Sequence, residues 1–326
     1  MNLKIPKILT AKELVDKSFH NASLIEKKVD PGNRIDSIRG NELKKIDAVY
    51  QMINDHLKKV HDSFPSIDNM NPAYSALIGI VVSKGDMKKS LAALHWAIDF
   101  NRELVTKSKR KLSGSGFRQM NAIRKEFYGR IMSVLKQIDK NLKFLDEARH
   151  AFRKLPQLQD LPTVVIAGFP NVGKSSLLKA LTGAEPEIQP YPFTTKGILL
   201  GCIENLVQLV DTPGLLDRSL EKRNNIEMQA IVALKHIANK ILFVLDPTEI
   251  CGYTIDKQVS LLNNIKDEFD KPVIIVANKE DAFDNSKSLG TKLDFSVSCI
   301  NGTGIQELKE HILKTTRLTL AKSFRK

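Results

Sequence analysis

The side chains best equipped for chemistry in this 326-residue chain lie in its second half. Gly168 to Ser176 reads "GFPNVGKSS" and fits G-x-x-x-x-G-K-[ST]. It follows the apolar run "TVVIA" and opens the helical pattern "SLLKALTG", the strand-to-helix context such a loop requires. Its glycines let backbone N–H groups close around phosphate oxygens, and the helix start adds partial positive charge. The expected cradle is Pro170, Asn171, Val172, Gly173, Lys174, Ser175 and Ser176. Lys174 would bridge the β- and γ-phosphates, and the Ser175 hydroxyl would bind Mg²⁺.

Asp211 ends the apolar run "LVQLVD", where a carboxylate can hold Mg²⁺ through water. Three residues on, Gly214 offers a backbone N–H to the γ-phosphate. In the intervening "YPFTTKG", a threonine would close over metal and phosphate; Thr194 and Thr195 both qualify, and Thr195 is favoured. Lys174, Thr195 and Gly214 are therefore the candidates for stabilising charge during phosphoryl transfer, and Ser175, Thr195 and Asp211 those for the metal. In "DTPGLLD" the position after the glycine is Leu215, where many such loops carry a water-orienting Gln. A leucine orients no water, so slow intrinsic hydrolysis is expected until a partner or a cation completes the site. Asn171 is a candidate K⁺ ligand or, equally, a side chain that only stabilises the loop.

Base identity is read at "NKED", Asn278 to Asp281, after the run "PVIIVA". The Asp281 carboxylate can accept the N1–H and N2–H₂ donors of guanine. Adenine presents an acceptor there and would leave a charge unpaired, so GTP and GDP are expected over ATP. Asn278 would contact the base edge or the neighbouring loop, and the Lys279 stem would lie over the ring. "SVSCINGTG" places Ser298 and Cys299 where backbone N–H groups can reach guanine O6, although Cys299 also suits a small buried residue.

These groups need elements to hold them. "TVVIAG", "GILLGCI", "LVQLVD", "ILFVLD" and "PVIIVANK" are short apolar runs alternating with helical stretches, as in a mostly parallel sheet covered on both faces. With a last strand before "SVSCINGTG", the pattern predicts a doubly wound α/β domain of six strands, one pair closed by a tight hairpin at "GCIENLVQ". The first half differs. Leu43, Ile46, Val49, Ile53, Leu57, Val60 and Phe64 recur every three or four residues, and similar stripes include Leu91, Leu94, Ile98 and Val105, then Phe117 to Phe152, stopped by Pro156. That pattern predicts an antiparallel helical bundle. The predicted organisation is a helical domain over 1–160, a nucleotide domain over 161–319 and a basic tail over 320–326.

The chain holds 50 Lys+Arg and 37 Asp+Glu, a formal net charge of +13. Residues 1–160 carry 30 basic against 18 acidic groups, so almost the whole excess lies in the helical half. The run "KSKRKLSGSGFRQMNAIRK" concentrates it at a glycine-containing turn. Lys107, Lys109, Arg110, Lys111, Arg118, Arg124 and Lys125 are the candidate contacts to a phosphate backbone, through counterion release. Few aromatics interleave with them, which favours structured RNA over stacked single strands. Three scattered cysteines form no metal or disulfide pattern, no apolar run approaches membrane-spanning length, and the charged N-terminus makes a poor signal peptide. A cytoplasmic protein, monomeric away from larger assemblies, is expected.

The chain resembles the nucleolar GTP-binding (Nog) family of Obg-related GTPases. The strings that carry this include "FPSIDNMNPAYSAL", "EFYGRIMSVLKQID", "LKFLDEARHAFRKLP", "RNNIEMQAIVALKH" and "CGYTIDKQVSLLNNIK", alongside the phosphate loop and "DTPGLLD". The resemblance favours Thr195, since such proteins use the threonine nearest the next strand, and it is the source of the K⁺ role for Asn171. It implies assembly of the large ribosomal subunit, with the helical domain on ribosomal RNA. A short, archaeal-type member is expected, since the chain stops soon after the nucleotide domain.

Overall fold

The structure, a computed structural model, describes residues 4–25, 31–66, 70, 72–159, 161–191, 197–217, 223, 225–283 and 289–323. These fold into two compact units, one built from residues 3–69 and 82–153, the other from 70–81 and 154–326.

The first unit is the helical one. It contains α1 (Ala11–Ser23), α2 (Arg34–Ser63), α4 (Lys84–Ser113) and α5 (Phe117–Phe152). Thr10 and Glu13 start α1 with reciprocal side-chain-to-backbone bonds, and the Ser83 hydroxyl caps α4. Ile46, Val49, Ile53, Leu57 and Val60 are fully buried on α2, as their spacing predicts. Each such side chain contributes about 1.5–3 kcal/mol by leaving water. Phe117 departs from its predicted stripe: it begins α5 at the turn with its ring 54% exposed.

The intervening helix α3 (Pro72–Val81) belongs to the other unit, where it packs on α7 (Asn225–Ile237). Tyr74 donates to the carbonyls of Pro156 and Leu158 at 3.2 Å each. The compact nucleotide unit thus takes in a helix from within the range 1–160. No helical period marks α3 in the sequence, because its ten residues are apolar almost all round.

The nucleotide unit is a seven-stranded sheet, ordered β2-β3-β4-β1-β5-β6-β7. The six predicted strands are β1 (Thr163–Ala167), β3 (Ile198–Ile203), β4 (Val207–Asp211), β5 (Lys240–Leu245), β6 (Val273–Ala277) and β7 (Phe295–Ser296). The seventh, β2 (Glu187–Gln189), is too short and polar to announce itself by period. It pairs antiparallel with β3, and β3 with β4 through a turn in which Glu204 and Asn205 both have positive φ. The other pairs are parallel. β1, β4 and β5 are buried along their whole length, so apolar side chains on both faces are required there. Strand order reverses about β1, which puts the crevice at its carboxyl end, where the phosphate loop begins. Helices α6 (Lys174–Thr182), α8 (Ile255–Phe269) and α9 (Ile305–Ser323) complete the unit; α9 runs on into the range predicted as a tail.

Candidate nucleotide site

The phosphate loop needs its glycines for space as well as for conformation. A Cβ on Gly168 would lie 2.4 Å from the Val244 carbonyl oxygen, and one on Gly173 would lie 2.1 Å from Asn278 Nδ2. Both residues have positive φ, as does Asn171 at 65°, a value asparagine tolerates better than most side chains. Lys174 is nearly inaccessible, and its ammonium donates to the carbonyls of Gly168 and Phe169 at 2.9 and 2.8 Å. Burial pushes its pKa down, partly offset by the carboxylates of Asp211 and Asp217. A buried cation held only by neutral carbonyls is well prepared for phosphate oxygens.

The Ser175 hydroxyl donates to Asp211 Oδ2 at 2.7 Å, so the two predicted metal residues meet. Asp211 is fully buried, and its other oxygen, Oδ1, has no hydrogen-bond partner. Burial raises its pKa, against the pull of Ser175 and Lys174. An orphaned buried carboxylate oxygen beside a hydroxyl fits a hard cation such as Mg²⁺, which takes few protein ligands and keeps waters and phosphates as the rest. Thr194 and Thr195 lie outside the described residues. Pro170 is half-buried, Val172 is buried, and Ser175 and Ser176 are exposed at the start of α6.

The candidate base-reading residues lie on two loops, one after β6 and one after β7. Asn278 Nδ2 donates to the Val172 carbonyl at 3.0 Å, and its Oδ1 accepts the Cys299 N–H at 3.4 Å. Asn278 thereby ties the phosphate loop to the last loop, the second of its two predicted roles. Lys279 has a positive φ of 65°, and its ammonium is bonded to Asp246 Oδ2 at 2.5 Å. Asp246 is fully buried at the end of β5, where it also accepts the backbone N–H groups of Thr248 and Cys251. Asp281 is exposed, and Ser298 Oγ donates to its Oδ1. The Ser298 N–H is committed to the Thr303 carbonyl at 3.0 Å, which leaves the loosely held Cys299 amide as the better donor for a base. Burial pushes the Cys299 thiol up to about 11, so it acts as a small neutral side chain.

Two roles went unread in the sequence. Asp246 sets the course of Lys279, and Ser298 aligns Asp281 through its side chain. The signal for Asp246 was present: "ILFVLD" ends on an aspartate as "LVQLVD" does. Leu215 and Leu216 are buried, so this stretch of "DTPGLLD" secures its loop with apolar side chains.

Residues 3–159 match the family model "NOG1 N-terminal helical domain", and residues 225–281 match "Nucleolar GTP-binding protein 1 (NOG1)". An uncharacterised protein of Methanocaldococcus jannaschii is 43% identical over 87% of this chain and 82% of its own length. Nucleolar GTP-binding protein 1 of Drosophila melanogaster is 34% identical over 86% of this chain. The chain belongs to the nucleolar GTP-binding family. It spans about half the length of the eukaryotic Nog relatives it matches, 46% for the Drosophila protein. A crystal structure of a Plasmodium falciparum Nog protein is 34% identical, covers 52% of this chain and 94% of the other, and aligns with a TM-score of 0.45.

In this Nog-family chain the basic helical hairpin is less uniform than its sequence. Lys107 pairs with Glu103, Lys109 with Asp47, and Lys111 with Glu126. Arg124 is half-buried between Glu42 and the Tyr128 ring. Arg110, Arg118 and Lys125 are exposed and in no ion pair among the described residues. Among the described residues, no helix is long and apolar enough to cross a membrane, and no group of three His, Cys, Asp or Glu is placed to hold a metal. The latter does not conflict with a Mg²⁺ site built from one carboxylate and hydroxyls.

Proposed function

We propose that this protein is a GTP-binding assembly factor of the large ribosomal subunit, with slow GTP hydrolysis and a helical unit that contacts ribosomal RNA. The observation that carries the nucleotide half is the preformed guanine reader: Asp281 aligned by Ser298, and Lys279 pinned by Asp246, beside a buried Lys174. Lys174 and the loop amides hold the phosphates. Ser175 and Asp211 would hold Mg²⁺, which would neutralise phosphate charge. The Gly214 amide senses the terminal phosphate. Leu215, at the position where many such loops carry a water-orienting Gln, is a buried leucine, which supports slow turnover until a ribosomal particle completes the site. Calorimetric titration with GTP, GDP and ATP tests this half: Kd values for GTP and GDP at least about 100-fold below that for ATP are expected.

The RNA half rests on the charge excess of the helical region and on the family's nucleolar members. Sedimentation of cell extract with a slowly hydrolysed GTP analogue or with GDP tests it. The protein should travel with large-subunit precursors, more fully in the GTP-analogue sample; its absence from them in both samples would end this reading. A cytoplasmic location and a monomeric state off the particle belong to the same proposal. The K⁺ role is its weakest part, because the left-handed backbone at Asn171 already accounts for an asparagine there. Equal turnover in K⁺ and Na⁺ at matched ionic strength would remove it. A second reading has one observation in its favour: Trp96 and Phe100 are exposed neighbours on α4, ring centroids 5.6 Å apart, which suits a protein partner.

A further inference from the structure

The strongest unexplained feature is the pair of charges around the phosphate sensor. The Gly214 N–H donates to Asp217 Oδ2 at 3.0 Å. The Arg223 guanidinium binds the next two carbonyls along the chain. Nη1 donates to the Gly214 carbonyl and Nη2 to the Leu215 carbonyl, each at 2.5 Å. Nη2 also donates to Asp217 Oδ1 at 3.2 Å, and Glu227 lies 3.8 Å from Nη1. The Arg223 side chain has no solvent exposure, and that of Asp217 is 16% exposed. Buried charge is retained at a cost unless it is fully engaged, so an arginine set here has a defined task.

That task follows from the donors involved. One amide hydrogen makes one strong hydrogen bond. The Gly214 N–H is the group that would meet a γ-phosphate, and a carboxylate already occupies it. Asp217 also lies in the field of the phosphate site, since its charge raises the pKa values of both Lys174 and Asp211. We infer that Asp217, held by Arg223, is an internal competitor of the γ-phosphate that sets how strongly the protein prefers GTP over GDP. GDP, which has no γ-phosphate, leaves the Asp217–Gly214 bond intact. GTP must break it and place a second anion near the carboxylate. Arg223, already bonded to Asp217 Oδ1, would keep the freed carboxylate paired. The Gly168 N–H, bonded to the Leu216 carbonyl at 3.1 Å, ties this stretch to the phosphate loop.

This inference rests on the guanine-nucleotide reading above, and one experiment separates their failures. Affinities for a fluorescent GTP analogue and for GDP are measured on the full chain and on Asp217→Ala, Asp217→Asn and Asp217→Glu. Asp217→Ala should raise the GTP-to-GDP affinity ratio about tenfold, the worth of one charge-assisted hydrogen bond, with GDP affinity nearly unchanged. Asp217→Asn, which keeps an acceptor without the charge, should fall between, and Asp217→Glu should return most of the wild-type ratio. An unchanged ratio, equal weakening of both nucleotides or selective loss of GTP in Asp217→Ala would overturn the inference. Should the alanine variant fail to fold, the isosteric asparagine variant carries the same test alone. A wild-type protein that binds neither nucleotide would instead sink the reading beneath it.

Discussion

In the nucleotide unit, Lys174, Asp211, Asp246, Asn278 and Ser298 are all nearly inaccessible, and all lie at or just beyond the carboxyl ends of strands. In the helical unit, Asn54 and Asn101, on α2 and α4, form a buried polar pair. Asn101 donates to Asn54, and Asn54 to the Ile98 carbonyl. Its charges are mostly outside and paired one turn away, as Lys107 is with Glu103 and Lys143 with Asp139. Such exposed pairs are worth at most about 1 kcal/mol each. The difference shows where each unit keeps its chemistry. The nucleotide unit holds charged groups dry where a ligand would meet them, while the helical unit keeps most of its charge at the surface, with the ion-paired Lys45 and Arg149 as buried exceptions.

The largest effect should come from Lys174→Met. It should lower GTP affinity at least about 100-fold by calorimetry. The ligand-free thermal midpoint should move far less, because burial already disfavours the ammonium. Leu57→Ala inverts that result. It should cost about 3 kcal/mol in urea unfolding of the helical unit and leave GTP affinity unchanged. If Leu57→Ala also abolished nucleotide binding, the two units would not be energetically separate.

Asp246→Asn should cost somewhat less, about 2 kcal/mol at neutral pH, by breaking a buried pair whose partner Lys279 stays partly exposed. Burial raises the Asp246 pKa, but Lys279, Thr248 and the Cys251 amide outweigh it and hold the carboxyl below its usual value. A depressed folded pKa gives stability that is present above the unfolded carboxylate pKa and lost as pH falls through the folded one. The difference between wild type and Asp246→Asn should therefore shrink as thermal unfolding is repeated from pH 7 toward pH 3. The smallest effect on folding should come from reversing Arg110, Arg118 and Lys125 to Glu together. Unfolding should stay within about 0.5 kcal/mol of wild type. RNA affinity should fall about tenfold or more, with a shallower salt slope in filter binding. The same reversal at the ion-paired Lys107, Lys109 and Lys111 should matter less for RNA, which sharpens the contrast within one hairpin.

Much of the nucleotide site was legible because its residues follow strands of unmistakable pattern. A five-residue apolar run followed by "GFPNVGKSS" admits few alternatives, and "NKED" directly after "PVIIVA" marks the candidate base reader. The helical stripes were legible for the same reason of period, except where Phe117 opens α5 at a turn and its ring meets solvent. Illegible were the partnerships between residues far apart in the chain. Asp246 and Lys279 are 33 residues apart, and Asp281 and Ser298 are 17 apart, so no local spacing links them.

The sequence by itself determined the strand-and-loop motifs that carry the candidate nucleotide residues, the division into a helical and an α/β region and the location of the charge, since local period, loop chemistry and composition decide those. Only the tertiary structure decided which basic residues stay unpaired, that α3 joins the nucleotide unit, and that Leu215 is buried for packing. It also decided that Asp217 and Arg223 close on Gly214. Those outcomes depend on which side chains the folded backbone brings within hydrogen-bond distance, a fact that no single stretch of chain contains.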